Sequence, residues 1–331
     1  MRKQMPKQIK ARVRNDKTGV KESSGTILKK IAGIAIPITI GAAMMPIVNV
    51  VDSSIVMTRL LEAGLDRTTA ESLFGQLTGF ASPIVQFPLV LIQAIVVSLV
   101  PMVAASNKLG DKHELHNNIS LGVRMTSIIT IPASVGLFVL AEPVLLLLYS
   151  SQRASAISAA PCLQILAVGF IFLAALTIFT GALQGLGKQG IPVRNLFIGV
   201  IAKLVLTWVL TAIPSINVLG AAIGTISAYA VAAVLDFLAL IKYSGVKLSV
   251  KLTLVKPFIS SVVMGIIVFA GYKVLFMILG SNGTATLLSV FVGVAVYGIM
   301  VLKTKTIEKE EMMTISIGRK IAKICDKLRL W

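Results

Sequence analysis

The chain has 331 residues, of which 56% are hydrophobic and 14% charged, with a mean hydropathy of +0.88 and a formal net charge of +18. A soluble globular domain does not combine that hydropathy with so few charges. Two cysteines and two histidines are too few for a disulfide framework or a His/Cys metal site. The composition describes an all-α polytopic membrane protein.

Residues 1–30 form a basic arm holding ten Lys or Arg. Such an arm is expected on the cytoplasmic side, drawn to anionic headgroups. It is too long and too polar ahead of the first apolar run to be a signal peptide. Its segment MRKQMPKQIKARVRN reads more like a loop between helices than a chain start. Eight apolar stretches follow, at 31–58, 77–105, 125–149, 157–185, 195–218, 219–241, 258–280 and 284–302. Each is about 20 residues or longer, enough to cross a hydrocarbon core of ~30 Å. Six of them make a lobe over 31–242. A basic linker, 242–256, sets off two additional helices within 243–302. The tail, 303–331, places Ile317, Ile321, Ile324, Leu328 and Trp331 on one helical stripe among basic residues, the pattern of an amphipathic helix lying on the inner leaflet.

Basic residues fall in every second gap. The arm, the gap with Lys108, Lys112 and Arg124, the gap with Lys188 and Arg194, the linker and the tail hold 27 of the 32, against Arg59, Arg67 and Arg153 on the other side. The positive-inside rule makes the rich side cytoplasmic and puts both termini inside. The net charge is thus a topology signal, dispersed over loops and tails, and not a nucleic-acid footprint.

Prolines crowd the first two stretches: Pro37 and Pro46, then Pro83, Pro88 and Pro101. Each removes a backbone hydrogen bond and is expected to kink its helix, as in the moving elements that line transport paths. Polar residues at depth are the other candidates. Asp52 lies 21 residues past position 31, ~31 Å along the axis, which predicts an outer-mouth position and an ion pair with Arg59. Glu142, Asp236 and Lys273 fall ~24–27 Å from their span starts and are expected at or snorkelling to an interface. Lys203 lies only ~13 Å in, near the midplane, where its ammonium needs a carboxylate, carbonyls, water or an anionic ligand. Gln86 and Gln93, seven apart, share a face that either glues helices or lines a hydrophilic cavity. Asn49, three residues before Asp52, can extend that lining. No Ser/His/Asp grouping, paired carboxylates or phosphate-binding glycine loop is present, so no catalytic, cofactor or metal residues are assigned. GAAIG (220–224) is a G-x-x-x-G close-packing face.

The runs ILKKIAGIAIPITIGAAMMPIVNVVDSSIVMTRL (27–60) and LFGQLTGFASPIVQFP (73–88), then LLLLYSS (145–151), GALQGLGKQGIPVRNLFIGVIAKL (181–204) and IPSINVLGAAIGT (213–225), resemble, in order, the second half of stage V sporulation protein B-like polysaccharide exporters. These belong with the lipid II flippases in the multidrug/oligosaccharidyl-lipid/polysaccharide exporter superfamily. The resemblance spans about residues 25–300 and implies the second six-helix lobe plus two extra helices of a fourteen-helix exporter, with the basic arm as the interlobe loop. It also implies a bacterial plasma-membrane location, a lipid-linked oligosaccharide as substrate, and alternating access without ATP. The absent first lobe points to a truncated or split gene product that pairs with a separate lobe or with itself. A multidrug/cation antiporter of the same superfamily is the alternative, as is a non-transporting half-protein. The topology is checked by cysteine labelling: sites near Gly64, Ser155 and Ser281 should react from outside, and sites near Lys112, Gly190 and Lys247 from inside. Gly64 and Lys112 on one side would end the eight-span reading.

Overall fold

The computed structural model describes residues 23–304 and Thr306; the tail stripe and most of the arm lie outside the described residues. The described chain is helical throughout: α1 (Ser24–Glu62), α2 (Arg67–Gly75), α3 (Ser82–Leu109), α4 (Lys112–Val139), α5 (Ala141–Leu148), α6 (Arg153–Gly185), α7 (Gly190–Thr211), α8 (Leu219–Ser244), α9 (Lys256–Leu279) and α10 (Asn282–Lys303). Seven of the described helical segments are long and apolar enough to cross a membrane, and α1, at 39 residues, is the remaining long helix.

α6 is the axle of the bundle. α3, α4, α5 and α8 all pack along it, while α7 packs on α8 and α1, and α9 packs on α10 and α4. Side chains such as Leu163, Phe170, Ile178 and Leu183 on α6 are fully buried. Hydrocarbon offers no hydrophobic drive between helices, so close approach of backbones has to supply the attraction. At the α7–α8 crossing it does. A Cβ on Gly199 would come within 2.5 Å of the Ala228 carbonyl oxygen, and one on Gly220 within 2.6 Å of the Thr211 nitrogen. The G-x-x-x-G of α8 therefore faces α7, as its spacing predicts.

Several element bounds differ from the hydropathy reading. α1 starts at Ser24, inside the stretch read as arm, because Ser23 caps it by accepting from the Thr26 N–H at 3.2 Å. The 125–149 stretch divides at Leu140 into α4 and α5, since Pro143 has no N–H to offer the Val139 carbonyl. Between α1 and α2, Asp66 caps α2; the hydroxyls of Thr68 and Thr69 hold its carboxyl well below the usual carboxylate range.

The prolines do not end their helices. α1 runs unbroken through positions 37 and 46, and α3 through Pro88 and Pro101. Each proline forfeits one hydrogen bond, which a membrane helix tolerates when the freed carbonyl finds another donor. Pro83 alone coincides with a distortion, a π-helical turn over Gln76–Ala81 that runs straight into α3. The carbonyl of Gly79, four residues before Pro83, accepts the Tyr149 hydroxyl at 3.1 Å. Pro132 in α4 repeats the arrangement: the carbonyl of Ile128 accepts the Tyr297 hydroxyl of α10 at 2.8 Å. Tyr297→Phe keeps the ring and strands that carbonyl, and should destabilise the protein by about 1–3 kcal/mol. A thermal melt in detergent should show a lowered midpoint; an unchanged one would mean that the carbonyl needs no donor.

Candidate functional site

Three sites carry the polar and cavity features of the lobe: a buried seam on α7, a polar clamp at one end of the bundle, and a large groove beside α3.

The seam is written along α7 at every fourth residue. Asn195, Gly199, Lys203, Thr207 and Thr211 are all buried, making a band of polar or small residues that winds slowly round an otherwise apolar helix. Lys203 Nζ lies 3.0 Å from Asp52 Oδ2 on α1, with both residues buried. The structure thus gives the mid-depth ammonium a carboxylate partner. It also corrects the depth of Asp52. α1 is ~58 Å long, well over a membrane crossing, so distance from its start misplaces everything on it. Counted back from Glu62, Asp52 sits ~15 Å deep, level with Lys203, eight residues before the end of α7. Nor does Asp52 pair with Arg59, which lies two turns away. Arg59 is ion-paired with Glu62, donates to the Trp208 carbonyl at 3.0 Å and lies over the Trp208 ring at 4.5 Å. It thereby caps a carbonyl in the last turn of α7, where the helix dipole favours a cation. The second oxygen of Asp52 and the hydroxyls of Thr207 and Thr211 are buried without a hydrogen-bond partner among the described residues.

The clamp lies at the opposite ends of α7 and α8. Asp236, fully buried, accepts from Thr180 of α6 and Asn195 of α7, both at 2.8 Å. Arg194 donates in turn to the Asn195 side-chain oxygen. Asp236 was expected at or snorkelling to an interface. Its side chain does not snorkel: it stays inside the bundle, where Thr180 and Asn195 satisfy both oxygens. Lys273 and Glu142 are exposed, and Lys273 lies over the Phe269 ring.

The groove, about 830 Å3, runs between α3, α4 and α5 on one side and α9 and α10 on the other. Pro83, Phe87, Pro132, Tyr149, Met264 and Tyr297 are among its walls, so both proline–tyrosine arrangements line it. Its lining is almost wholly apolar. Gln86 and Gln93 are exposed on the adjacent face of α3, and Asn49 is exposed on α1. The structure thus separates the residues singled out from sequence: Asp52 meets Lys203 in the seam, whereas Asn49, Gln86 and Gln93 stay at the surface. Sequence reading missed the groove and the band on α7. The four-residue repeat of polar and small residues was the available signal for the band; the groove, built from five separate helices, left none.

A sequence model of the lipid II flippase MurJ family matches residues 7–297. The chain belongs to that family. It is 27% identical over 239 residues to lipid II flippase MurJ of Bacillus subtilis, covering 71% of this chain and 43% of that protein. It is 24% identical over 276 residues to stage V sporulation protein B of the same organism, covering 81% and 50%. A probable low-salt glycan biosynthesis flippase, Agl15 of Haloferax volcanii, is 25% identical over 216 residues, covering 65% and 43%. The chain therefore spans about half the length of the curated relatives it matches. A solved lipid II flippase MurJ in an inward closed conformation shares the fold, with a TM-score of 0.61 at 16% identity over 78% of this chain and 51% of that one. The membership places the chain in a family of multi-pass membrane proteins named for lipid II flippases and matches the resemblance read from the sequence.

Removing one partner of a buried ion pair leaves the other charge uncompensated, which costs roughly 3–5 kcal/mol. Lys203→Met or Asp52→Asn alone should lower folded yield and melting temperature. The double variant should recover much of the loss. A double variant no better than the worse single one would show that the two side chains do not act as a pair.

Proposed function

We propose that this chain forms the second lobe and additional helix pair of an exporter that flips a lipid-linked oligosaccharide outward by alternating access, without ATP. The observation that carries the reading is the adjacency on α3 of an apolar groove, walled by Pro83 and Phe87, and two exposed amides, Gln86 and Gln93. On a helix, positions 83 and 87 lie beside position 86, and 93 returns to the face of 86. An amphiphile with a long apolar tail and a sugar head would meet both surfaces at once. The tail would lie in the groove and the head against the amides.

Alternating access needs two opposed walls. α1 packs chiefly on α7 and α2, and its Asn49 is exposed. Polar groups left against hydrocarbon cost a few kcal/mol each before compensation, so this face is expected to be covered by a further six-helix lobe or by a second copy of the chain. Both termini are placed on the cytoplasmic side, from the distribution of Lys and Arg. A cation antiporter would use an ionised carboxylate free to bind its cation; of the two buried carboxylates among the described residues, Asp52 is paired with Lys203 and Asp236 is held by Thr180 and Asn195, which favours the flippase reading over it.

The test is translocation of a lipid-linked sugar in liposomes, by the chain alone and together with a six-span partner lobe, with the mass of the detergent-purified protein measured in parallel. Transport only in the paired or dimeric state is expected. Robust flipping by a strict monomer would overturn the two-wall requirement, and none in any assembly would leave a non-transporting half-protein.

A further inference from the structure

A second cavity lies away from the α3 groove. α4 and α8 flank α6 and barely touch each other, so a slot of about 270 Å3 runs between them with α6 as its floor. The segment before α9 folds over it, contributing Leu248, Val250 and Leu254. No residue of α1 or α3 lines this slot. Its walls are apolar except for Thr253 on the covering segment and a polar strip along α4. On that strip Ser127 donates to the Val123 carbonyl, whereas Thr126 and Thr130, 3% and 2% exposed, have hydroxyls with no hydrogen-bond partner among the described residues. A buried hydroxyl without a partner is costly, and two on one wall of a cavity point to an acceptor that comes from outside the chain.

The mouth of the slot is apolar as well, with Val234 and Val250 54% and 62% exposed. Lys247 and Lys251, both exposed, flank Leu248 and Val250 on the covering segment. An apolar slot, a wall of unpartnered donors and two cations beside the mouth describe an amphiphile with an acyl chain, an ester and a negative head. We propose that the slot binds one anionic glycerophospholipid of the inner leaflet. Its acyl chain lies on α6, an ester carbonyl accepts from Thr126 or Thr130, and its phosphate rests near Lys247 and Lys251. The placement in the inner leaflet rests on the orientation given above. The slot is a third of the volume of the α3 groove and takes part of an acyl chain, not a long polyprenyl tail. A lipid there would tie the 245–255 segment to the six-helix lobe and so fix where the α9–α10 pair begins.

The experiment is native mass spectrometry of the full chain, delipidated in neutral detergent and titrated with phosphatidylglycerol or phosphatidylcholine. Two basic residues at the membrane surface should give phosphatidylglycerol an advantage of roughly tenfold or more, with one molecule retained per chain. The advantage should vanish in the Lys247→Gln/Lys251→Gln double variant, whose exposed side chains leave the fold intact, and persist in Lys188→Gln/Lys242→Gln. Equal binding of the two lipids, or an advantage that survives the first double variant, would overturn the proposal. Displacement of the retained lipid by a polyprenyl phosphate would also overturn it, by assigning the slot to the exported lipid. None of these readouts requires translocation, so this proposal can fail while the flippase reading stands.

Discussion

Hydrocarbon contains no hydrogen-bond partner, so every backbone carbonyl released within a span has to be answered by the protein itself. Much of this architecture follows from that constraint. Pro83 and Pro132 each release a carbonyl, and tyrosines from distant elements answer both: Tyr149, just past α5, reaches the π-helical turn before α3, and Tyr297 of α10 reaches α4. Asn282 adds a further polar bond between elements, donating to the Pro143 carbonyl of α5 at 3.1 Å while its own oxygen accepts from Tyr272. The α9–α10 pair is therefore fixed to the lobe at the start of α10 and again in its second half, by polar bonds that have no competing acceptor in lipid. Between those fixed points the helices do not close. The 830 Å3 groove is the space that remains, and the residues that set its width are the prolines and tyrosines of these bonds.

The α7 seam answers a different need. α1 has few neighbours among the described helices, and apolar contact gives it no preference for α7 over lipid. The Asp52–Lys203 pair supplies that preference. Two charges separated in a low-dielectric seam would cost far more than any single packing contact. A movement of α1 against α7 must therefore either carry both side chains together or bring water or another ion to each. The clamp around Asp236 is of another character. Both its oxygens are satisfied by neutral donors from two helices, so it locks α6, α7 and α8 together and leaves no charge in want of a partner.

The spans were legible in the sequence because length and hydropathy act through the same quantity, the free energy of placing side chains in hydrocarbon. The α7–α8 crossing was legible too, since only glycine permits that approach and the G-x-x-x-G spacing announces it. Depth was not. Asp52 was assigned to the outer mouth because α1 was measured from where its apolar run begins, whereas the helix is far longer than the membrane and only its end at Glu62 gives a usable reference. Asp236 was expected at or snorkelling to an interface on a count of residues, and a count does not show that its side chain stays inside the bundle. What holds it inside is a meeting of Thr180 and Asn195, 56 and 41 positions away in sequence, and no one-dimensional pattern reports that. The prolines were read as kinks. What no local pattern shows is the donor that answers a freed carbonyl: at Pro83 and Pro132 it lies 70 and 169 residues away from that carbonyl in sequence.

The same separation of scales bears on the proposed function. Gln86 and Gln93 were identified by spacing alone, with glue and cavity lining both open. Among the described residues neither side chain bonds to a neighbouring helix, and both are exposed beside a groove that the sequence did not disclose. An amide in the midst of a hydrophobic helix has to be offset by something polar, and within this lobe nothing covers that face of α3. The groove shows the complementary condition, apolar walls such as Phe87, 83% exposed, left open to the surroundings. Lipid would satisfy the second surface and not the first; water would satisfy the first and not the second. A molecule that joins a sugar head to an isoprenoid tail satisfies both. That physical requirement, more than the family membership, makes a lipid-linked oligosaccharide the substrate class proposed for this face.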